Sequence, residues 1–486
     1  MTMFRGKQYW VCDLEANGLL EEATEVHCLV ARRGEEVRVF FDREIGCRKD
    51  GTISEGLEFL QQVPHVFHNS MGYDYPLIKK LYGVDLYRGF SESVDTLILS
   101  RFDDLGREPV AGCRGGPHSI EAWGIRFGVH KPEHDDWSTL TPEMLHRCVE
   151  DTRIGERVFK ELSERLGKRN VGYALQLEHD FAQVCQATEE VGHPFHMEFA
   201  RTLVTWLEPR LEALRERVQR FYPPTRVILE SVDKKLGFRR WQEPLKKNGE
   251  PTANAIKYWG DDIKDVVGPV CRVSFHNLNL DSDKEVKEAL LAQGWKPKEW
   301  NVSKKTGKVT SPKLDEASYD SLPPGVGKDI AQYLKEKHRH GLISGLIAAA
   351  KEGPEGWYVP YQVNTQGTAA GRITTRVVVN IPSKGFLGKE CRQLFTAWPG
   401  ERFTTADLEG AHLHLMGVWA KGLDGGKYIT AMLEGDKEKG TDNHSLLAKA
   451  TGITRDDAKT TIYLWLNSGR QGKLASELGV SKSRAT

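Results

Sequence analysis

Three segments near the N-terminus, QYWVCDLE (8–15), VHCLVARR (26–33) and EVRVFFD (36–42), alternate apolar and polar side chains with a period of two. That alternation marks strands of one half-buried sheet. Helically spaced apolar residues follow in ISEGLEFLQQV and YDYPLIKKLYGV, so the first 165 or so residues are confined to an α/β arrangement. A long helix is expected from Thr141-Pro142-Glu143 to about residue 166, with a cap and a proline in its first turn. From 173 to about 355 the pattern is mostly helical, with the amphipathic runs LQLEHDFAQVCQATEEVG and FARTLVTWLEPRLEALRERVQRF separated by the turn GHPF. The stretch 222–280 breaks this pattern with prolines, glycines and clustered charge, as an insertion or flexible subdomain would. Strands return after 357, then helices. Three domains are expected, at 1–170, 171–355 and 356–486.

Composition narrows the function classes. The 68 basic and 68 acidic residues cancel, so any surface for nucleic acid must be local. The eight cysteines (12, 28, 47, 113, 148, 185, 271, 391) form no CxxC pair, which argues against structural zinc and against a secreted disulfide scaffold. No apolar run approaches the roughly 20 residues of a membrane span, and MTMFRGKQYW is charged where a signal peptide is apolar. A protein of a reduced cytoplasm is expected, with no membrane partner.

The first chemical signal lies on the first strand. In VCDLEANGL, Asp13 and Glu15 are two residues apart, so both side chains leave one face. FHNSMGYDYPLI puts Asp74 at the start of a helix, and MLHRCVEDTRIGERVF puts Asp151 on the long helix with His146 five residues earlier. Four carboxylates from three elements can hold two Mg²⁺ or Mn²⁺ ions, and a histidine beside them can deprotonate a water for attack on a phosphodiester.

DLEANGL, FHNSMGYDYPLIKKL, SVDTLILSR and HSIEAWG together resemble the 3′-5′ proofreading exonuclease domain of the family A replicative DNA polymerases of T-odd bacteriophages. The resemblance implies a ribonuclease H-like exonuclease domain with Asp13, Glu15, Asp74 and Asp151 as its acidic set. These polymerases usually carry Tyr four residues before the last Asp; here that residue is Arg147. His146 instead gives the HxxxxD spacing of the exonuclease class that uses histidine as base, with a buried packing role as the alternative. The resemblance continues through LEHDFAQVCQATEEVGHPF and FHNLNLDSDKEVKEALLAQGWKP, which implies a helical thumb around primer-template DNA. Between them KKLGFRRWQEPLKK (234–247) has six basic residues against one acidic. Lys234, Lys235, Arg239, Arg240 and Trp241 suit phosphate contacts with stacking, or else a solvated charged loop. In the phage relatives this region recruits thioredoxin, so a thioredoxin-like processivity factor is a candidate partner.

VNTQGTAAGRITTRVVVNIPSKG resembles the family's entry into the palm, with Arg372 and Asn380 at positions that contact primer-template. In RFTTADLEGAHLHLMGVWA the resemblance makes Asp407 a ligand of both polymerase metals, with the Leu408 carbonyl beside it; His412 stands where the family has Glu. In TRDDAKTTIYLWLNSG, Arg455, Lys459 and Tyr463 recur every four residues and share one helix face, which could clamp a deoxynucleoside triphosphate (dNTP), with Thr454 and Asp457 forming its cap. Leu464, Asn467 and Ser468 replace the family's Gly, Tyr and Gly. No His-Asp-Glu segment with the second polymerase carboxylate follows, and His134-Asp135-Asp136 lies inside the exonuclease region. The expectation is the N-terminal subunit of a split polymerase, acting on single-stranded and primer-template DNA in the cytoplasm of an infected bacterium, with a second palm-bearing chain. The alternative is an exonuclease with a degenerate, DNA-binding polymerase remnant.

Overall fold

A computed structural model describes residues 7–129, 134–228, 246–253, 256–257, 260, 273–303, 306–368, 371–406, 410–466, 474–475 and 478. The chain divides into two compact units, Met1–Glu401 and Arg402–Thr486. In the first, β1 (Trp10–Ala16), β2 (Val26–Arg33), β3 (Glu36–Phe40), β4 (His65–Phe67) and β5 (Ser93–Asp95) form a sheet in the order β3-β2-β1-β4-β5. The pairs β1–β2 and β2–β3 are antiparallel, whereas β1–β4 and β4–β5 are parallel. All three strands read from the alternation are therefore present, and β1 lies at the centre.

Both faces of β1 are covered. Trp10, Cys12 and Leu14 join a core with Leu57 and Leu60 of α1 (Ile53–Gln62) and Leu77 of α2 (Asp74–Tyr82). Val11 points the other way, into a core with Trp123, Ile154 and Val158. The latter two belong to α5 (Pro142–Leu166), which follows α3 (Thr96–Asp103) and α4 (Ile120–Arg126). Local chemistry fixes where α5 starts: Thr141 Oγ1 accepts from the Met144 amide at 3.2 Å, and Pro142 occupies the first turn, where its missing N–H costs nothing. Gly155 lets this helix approach, since a Cβ there would meet Val11 Cγ1 at 3.1 Å.

The helical region follows as α6 (Gly172–Val191) and α7 (Met197–Phe221). Gly192, at φ +66°, makes the turn between them, and any Cβ would strike the Tyr358 ring at 2.4 Å. The helix Val326–Ala349 packs along α7, burying Leu203, Leu207, Ile343 and Leu346 in one cluster and Leu214, Val218 and Ile330 in another. Its fully buried Glu336 accepts two hydrogen bonds from Arg210, at 2.6 and 3.0 Å, and so keeps its charge satisfied. At the base of the expected insertion, Thr225–Ile228 pairs antiparallel with Val273–His276. The strand Gly356–Val359 pairs with His193–Pro194, and Val359, Cys391 and Leu394 are buried among α7 side chains, so residues 356–401 pack within the first unit. The second unit contains the helices Ala411–Asp424, Lys427–Glu434, Asn443–Thr451 and Arg455–Leu466. No helix among the described residues is long and apolar enough to cross a membrane.

Burial gives the first unit a pH dependence. His65 on β4 is fully buried, its Nδ1–H donating to the Val63 carbonyl at 3.1 Å, and burial pushes the imidazole down to about 4. Its folded pKa lies below the unfolded value of 6.5, so the neutral ring's contribution is complete above 6.5 and is lost as pH falls toward 4. The loss by pH 4 is on the order of 3 kcal/mol. His65→Asn keeps a donor for Val63 and should flatten the corresponding part of the stability profile in chemical denaturation. An unchanged profile would show that the drop arises elsewhere.

Candidate active site

β1 supplies Asp13 and Glu15, α5 supplies Asp151, and one carboxylate oxygen of each lies within 4.8 Å of the others. Period two puts Asp13 and Glu15 on the face that Val11 turns toward α5, which is why residues so far apart in sequence meet. Asp151 is buried and the other two are half-buried. Three carboxylates this close repel one another, and an all-oxygen donor set suits a hard divalent cation such as Mg²⁺ or Mn²⁺.

Asp74, the fourth expected ligand, is the first residue of α2 and is buried. Burial, then the charge of Asp95, pushes its carboxyl up to about 8, with Glu15 adding to the rise. Asp74 therefore faces the acidic cluster without joining the 4.8 Å group.

His146 goes elsewhere. At ~100° per residue, five residues carry it roughly 140° around the helix from Asp151, whereas the fourth residue back is only roughly 40° away. The His146 ring is accordingly exposed and contributes no atom to the cluster, and this exposure also excludes buried helix packing. The position facing the site is Arg147, whose Nε lies 3.6 Å from Glu15 Oε1 and whose guanidinium stands 5.2 Å from the Trp137 ring centroid.

Two residues of the site were not singled out from sequence. Tyr73 precedes Asp74 and donates its hydroxyl to the Gly18 carbonyl at 2.7 Å. Burial, followed by the charges of Asp74, Glu15 and Asp13, raises it to about 12, so it remains a protonated donor beside the carboxylates. Asp95, at the end of β5, accepts from the amides of Asn69, Met71 and Leu97 and from Ser70 Oγ at 2.8–3.2 Å. It thereby caps α3 and ties down the loop that delivers Tyr73 and Asp74. A valine-aspartate-threonine step into a helix is the only local signal for this role.

On the polymerase side, Arg372 and Asn380 are exposed, and Asn380 has φ +50° close behind Val377 at +60°. Asp407, Leu408, Lys234, Lys235, Arg239, Arg240 and Trp241 lie outside the described residues, as do Asn467 and Ser468. Within the second unit His412 is exposed at the start of its helix. The expected cap of Arg455–Leu466 is present, the Asp457 amide donating to Thr454 Oγ1 at 3.1 Å. Lys459 is exposed and Tyr463 half-buried. Arg455 forms a two-point ion pair with Asp442, at 2.8 and 3.3 Å. Burial alone would raise the Asp442 carboxyl, but Arg455 and Ser445 hold it well below the usual range.

No family model matches the chain. It is 26% identical to the DNA-directed DNA polymerase of Enterobacteria phage T3 and 25% identical to that of Escherichia phage T7, in each case over 98% of this chain and 77% of the relative. A solved structure, the POL domain of Pol1 from M. smegmatis in complex with DNA primer-template and dNTP, matches 99% of this chain and 71% of its own length. The TM-score is 0.61 at 12% identity, which shows a polymerase fold. The resemblance carried by the sequence motifs is therefore borne out: this chain is similar to the T3 and T7 phage DNA polymerases along nearly its whole length.

Two outcomes are expected of the acidic cluster. In cation-free protein Asp74 holds its proton at neutral pH, its folded pKa standing above the ordinary 3.8, so it favours the fold most below 3.8 and progressively less as pH rises through 8. A cation held by these carboxylates would favour the ionised form of Asp74 and displace that proton. Calorimetric Mg²⁺ titration at pH 7 in two buffers of different ionisation heat should register release of up to about one proton, and Asp74→Asn should abolish it. Arg147→Ala removes a positive charge from beside Glu15 and should tighten Mg²⁺ binding several-fold; weaker binding would mean that Arg147 organises the ligand instead.

Proposed function

We propose that this chain serves template-directed DNA synthesis as part of a phage-type family A polymerase, and that its first unit carries the 3′-5′ proofreading exonuclease. The observation that carries the exonuclease reading is the convergence of Asp13, Glu15 and Asp151 within 4.8 Å in a chain related to phage polymerases. The sheet order β3-β2-β1-β4-β5, with an antiparallel start and parallel end, supports a ribonuclease H-like domain. Asp13, Glu15, Asp151 and Asp74 would hold two Mg²⁺ or Mn²⁺ ions, which supply polarisation of the phosphodiester and a more acidic attacking water. Tyr73, held by Gly18 and by the loop on Asp95, positions the strand end. Arg147 pairs with Glu15 at 3.6 Å. His146 is not assigned the proton transfer, because it faces solvent.

The α7 region serves as a thumb around primer-template DNA, and Arg372 and Asn380 contact it. Asp407 with the Leu408 carbonyl, His412, Arg455, Lys459 and Tyr463 form the nucleotide side of the polymerase site. A second, palm-bearing polypeptide completes that site with its other carboxylate. Support for a covering polypeptide lies on the helix Ala411–Asp424, where Leu415, Val418, Trp419 and Leu423 form an exposed stripe, Trp419 being 84% exposed. The basic stretch at 234–247 contacts DNA or receives a thioredoxin-like factor, in the cytoplasm of an infected bacterium.

A second reading, an exonuclease with a DNA-binding polymerase remnant, is favoured by the Asp442–Arg455 ion pair, which occupies the guanidinium expected at the triphosphate. Two assays decide. The purified chain should degrade single-stranded DNA from the 3′ end with Mg²⁺, and replacing Asp13 and Glu15 with Ala should abolish this; digestion at the wild-type rate would refute the metal assignment. Primer extension should appear only when a palm-bearing partner is added, and Asp407→Ala should silence it while sparing the exonuclease. Extension by the single chain would sink the two-polypeptide reading, and none with any partner would favour the remnant.

A further inference from the structure

We propose that a cleft walled by the loop that leads to Tyr73 and Asp74 grips the phosphodiester backbone of a single DNA strand through Arg101 and Arg376. This deepens the exonuclease reading and rests on it. The cleft has a volume of about 560 Å³, within the usual range for a small-ligand site. Four parts of the first unit wall it: the loop His68–Gly72 with Asp95 and α3, the segment Gly116–Ser119 before α4, the last turns of α6, and the hairpin formed by Val363–Asn364 and Thr374–Thr375.

Its electrostatics are unbalanced. Arg101, in the last turn of α3, is half-buried, and Arg376 follows the second hairpin strand. Burial holds the Arg101 guanidinium below its ordinary range; Asp95 pulls it back up, and Arg376 pushes it down again. Two guanidiniums thus repel each other across one cleft. Neither has an ion-pair partner among the described residues. Asp95 lines the cleft, but its carboxylate already accepts from three amides and one hydroxyl. Glu189, the other carboxylate in the lining, forms no ion pair with either arginine. His118, also in the lining, is pushed down to about 4 by burial and then by Arg107, Arg101 and Arg126, so it stays neutral in a positive field.

A phosphate resolves this imbalance, because each planar guanidinium can present two N–H donors to its oxygens. Asn69, Gln362 and Asn364 add amides able to meet a sugar or a base. The loop that forms one wall continues directly into Tyr73 and Asp74, so a strand held here is led by the same loop to the carboxylates. The opposite wall carries Arg376, four residues from Arg372, so the strand would bind the exonuclease sheet and the hairpin at once.

The test is binding of a fluorescein-labelled oligothymidylate to the full chain in EDTA, where no hydrolysis occurs, read by anisotropy across a salt series. Arg101→Gln and Arg376→Gln should each weaken binding roughly tenfold. Each should also reduce the slope of log K against log salt by roughly 0.7, the value for one lost phosphate contact on a single strand. Arg376 is exposed, so its variant is expected to fold, and thermal unfolding checks both. Wild-type affinity and slope in folded variants would overturn the proposal. Thymidine monophosphate and inorganic phosphate are the competing sources of the same chemistry. Should either bind through both arginines while the oligonucleotide ignores them, the site takes free nucleotide and the strand assignment is overturned. Failure of the exonuclease reading is separately visible: the Asp13→Ala, Glu15→Ala protein would then still digest DNA at the wild-type rate in Mg²⁺, a readout independent of the anisotropy series on the two arginine variants.

Discussion

The first unit depends on the two-sided burial of β1. One face of this strand is apolar along its length, through Trp10, Cys12 and Leu14, and anchors the sheet to α1 and α2. The other begins apolar at Val11 and then becomes acidic at Asp13 and Glu15, where α5 passes over it. The helix comes this near because Gly155 places no side chain against Val11. Mutual repulsion of three carboxylates opposes the arrangement, and the apolar packing of Ile154 and Val158, about one and two turns further along, offsets it. The site is therefore a strained electrostatic patch set at the edge of a well-packed core, the environment in which a divalent cation gains most.

Asp95 plays the corresponding role for the loops. Its carboxylate is buried and bears no direct chemistry, yet its four hydrogen bonds hold the 69–71 turn, in which Asn69 has φ +69°, and start α3. The turn in turn fixes Tyr73 and Asp74 on one side and a wall of the arginine-lined cleft on the other. A buried charge of this kind is stable because its lone pairs are filled, and any shift would be felt at both places.

The second unit is built differently. Its helices leave Leu415, Val418, Trp419 and Leu423 exposed along one helix, and its ordered charge chemistry is concentrated in the Asp442–Arg455 pair with His444 and Ser445 beside it. A helix whose apolar stripe faces water gains little from its own unit, which distinguishes it from α5 or α7, where the equivalent stripes are buried.

Much of this was legible in the residues themselves. Alternation placed β1 to β3, the Thr141-Pro142 start placed α5, and a spacing of two on a strand put Asp13 and Glu15 on one face, because these depend on local periodicity and capping alone. The pairing of Gly356–Val359 with His193–Pro194 packs residues 356–401, expected in a partial palm, within the first unit, and no local pattern encodes a strand partner so distant in sequence. The HxxxxD spacing points to His146, but the rotation of a regular helix turns it to solvent and brings Arg147 to Glu15 instead. Tyr73, Asp95 and the Arg101–Arg376 cleft acquire their meaning from neighbours on other elements. Strand and helix formation, and the shared face of Asp13 and Glu15, follow from interactions within a few residues and are therefore written in local order. Which charges meet and which remain unbalanced emerges in the folded chain alone, because Coulomb forces and desolvation act through space between segments that sequence order keeps apart.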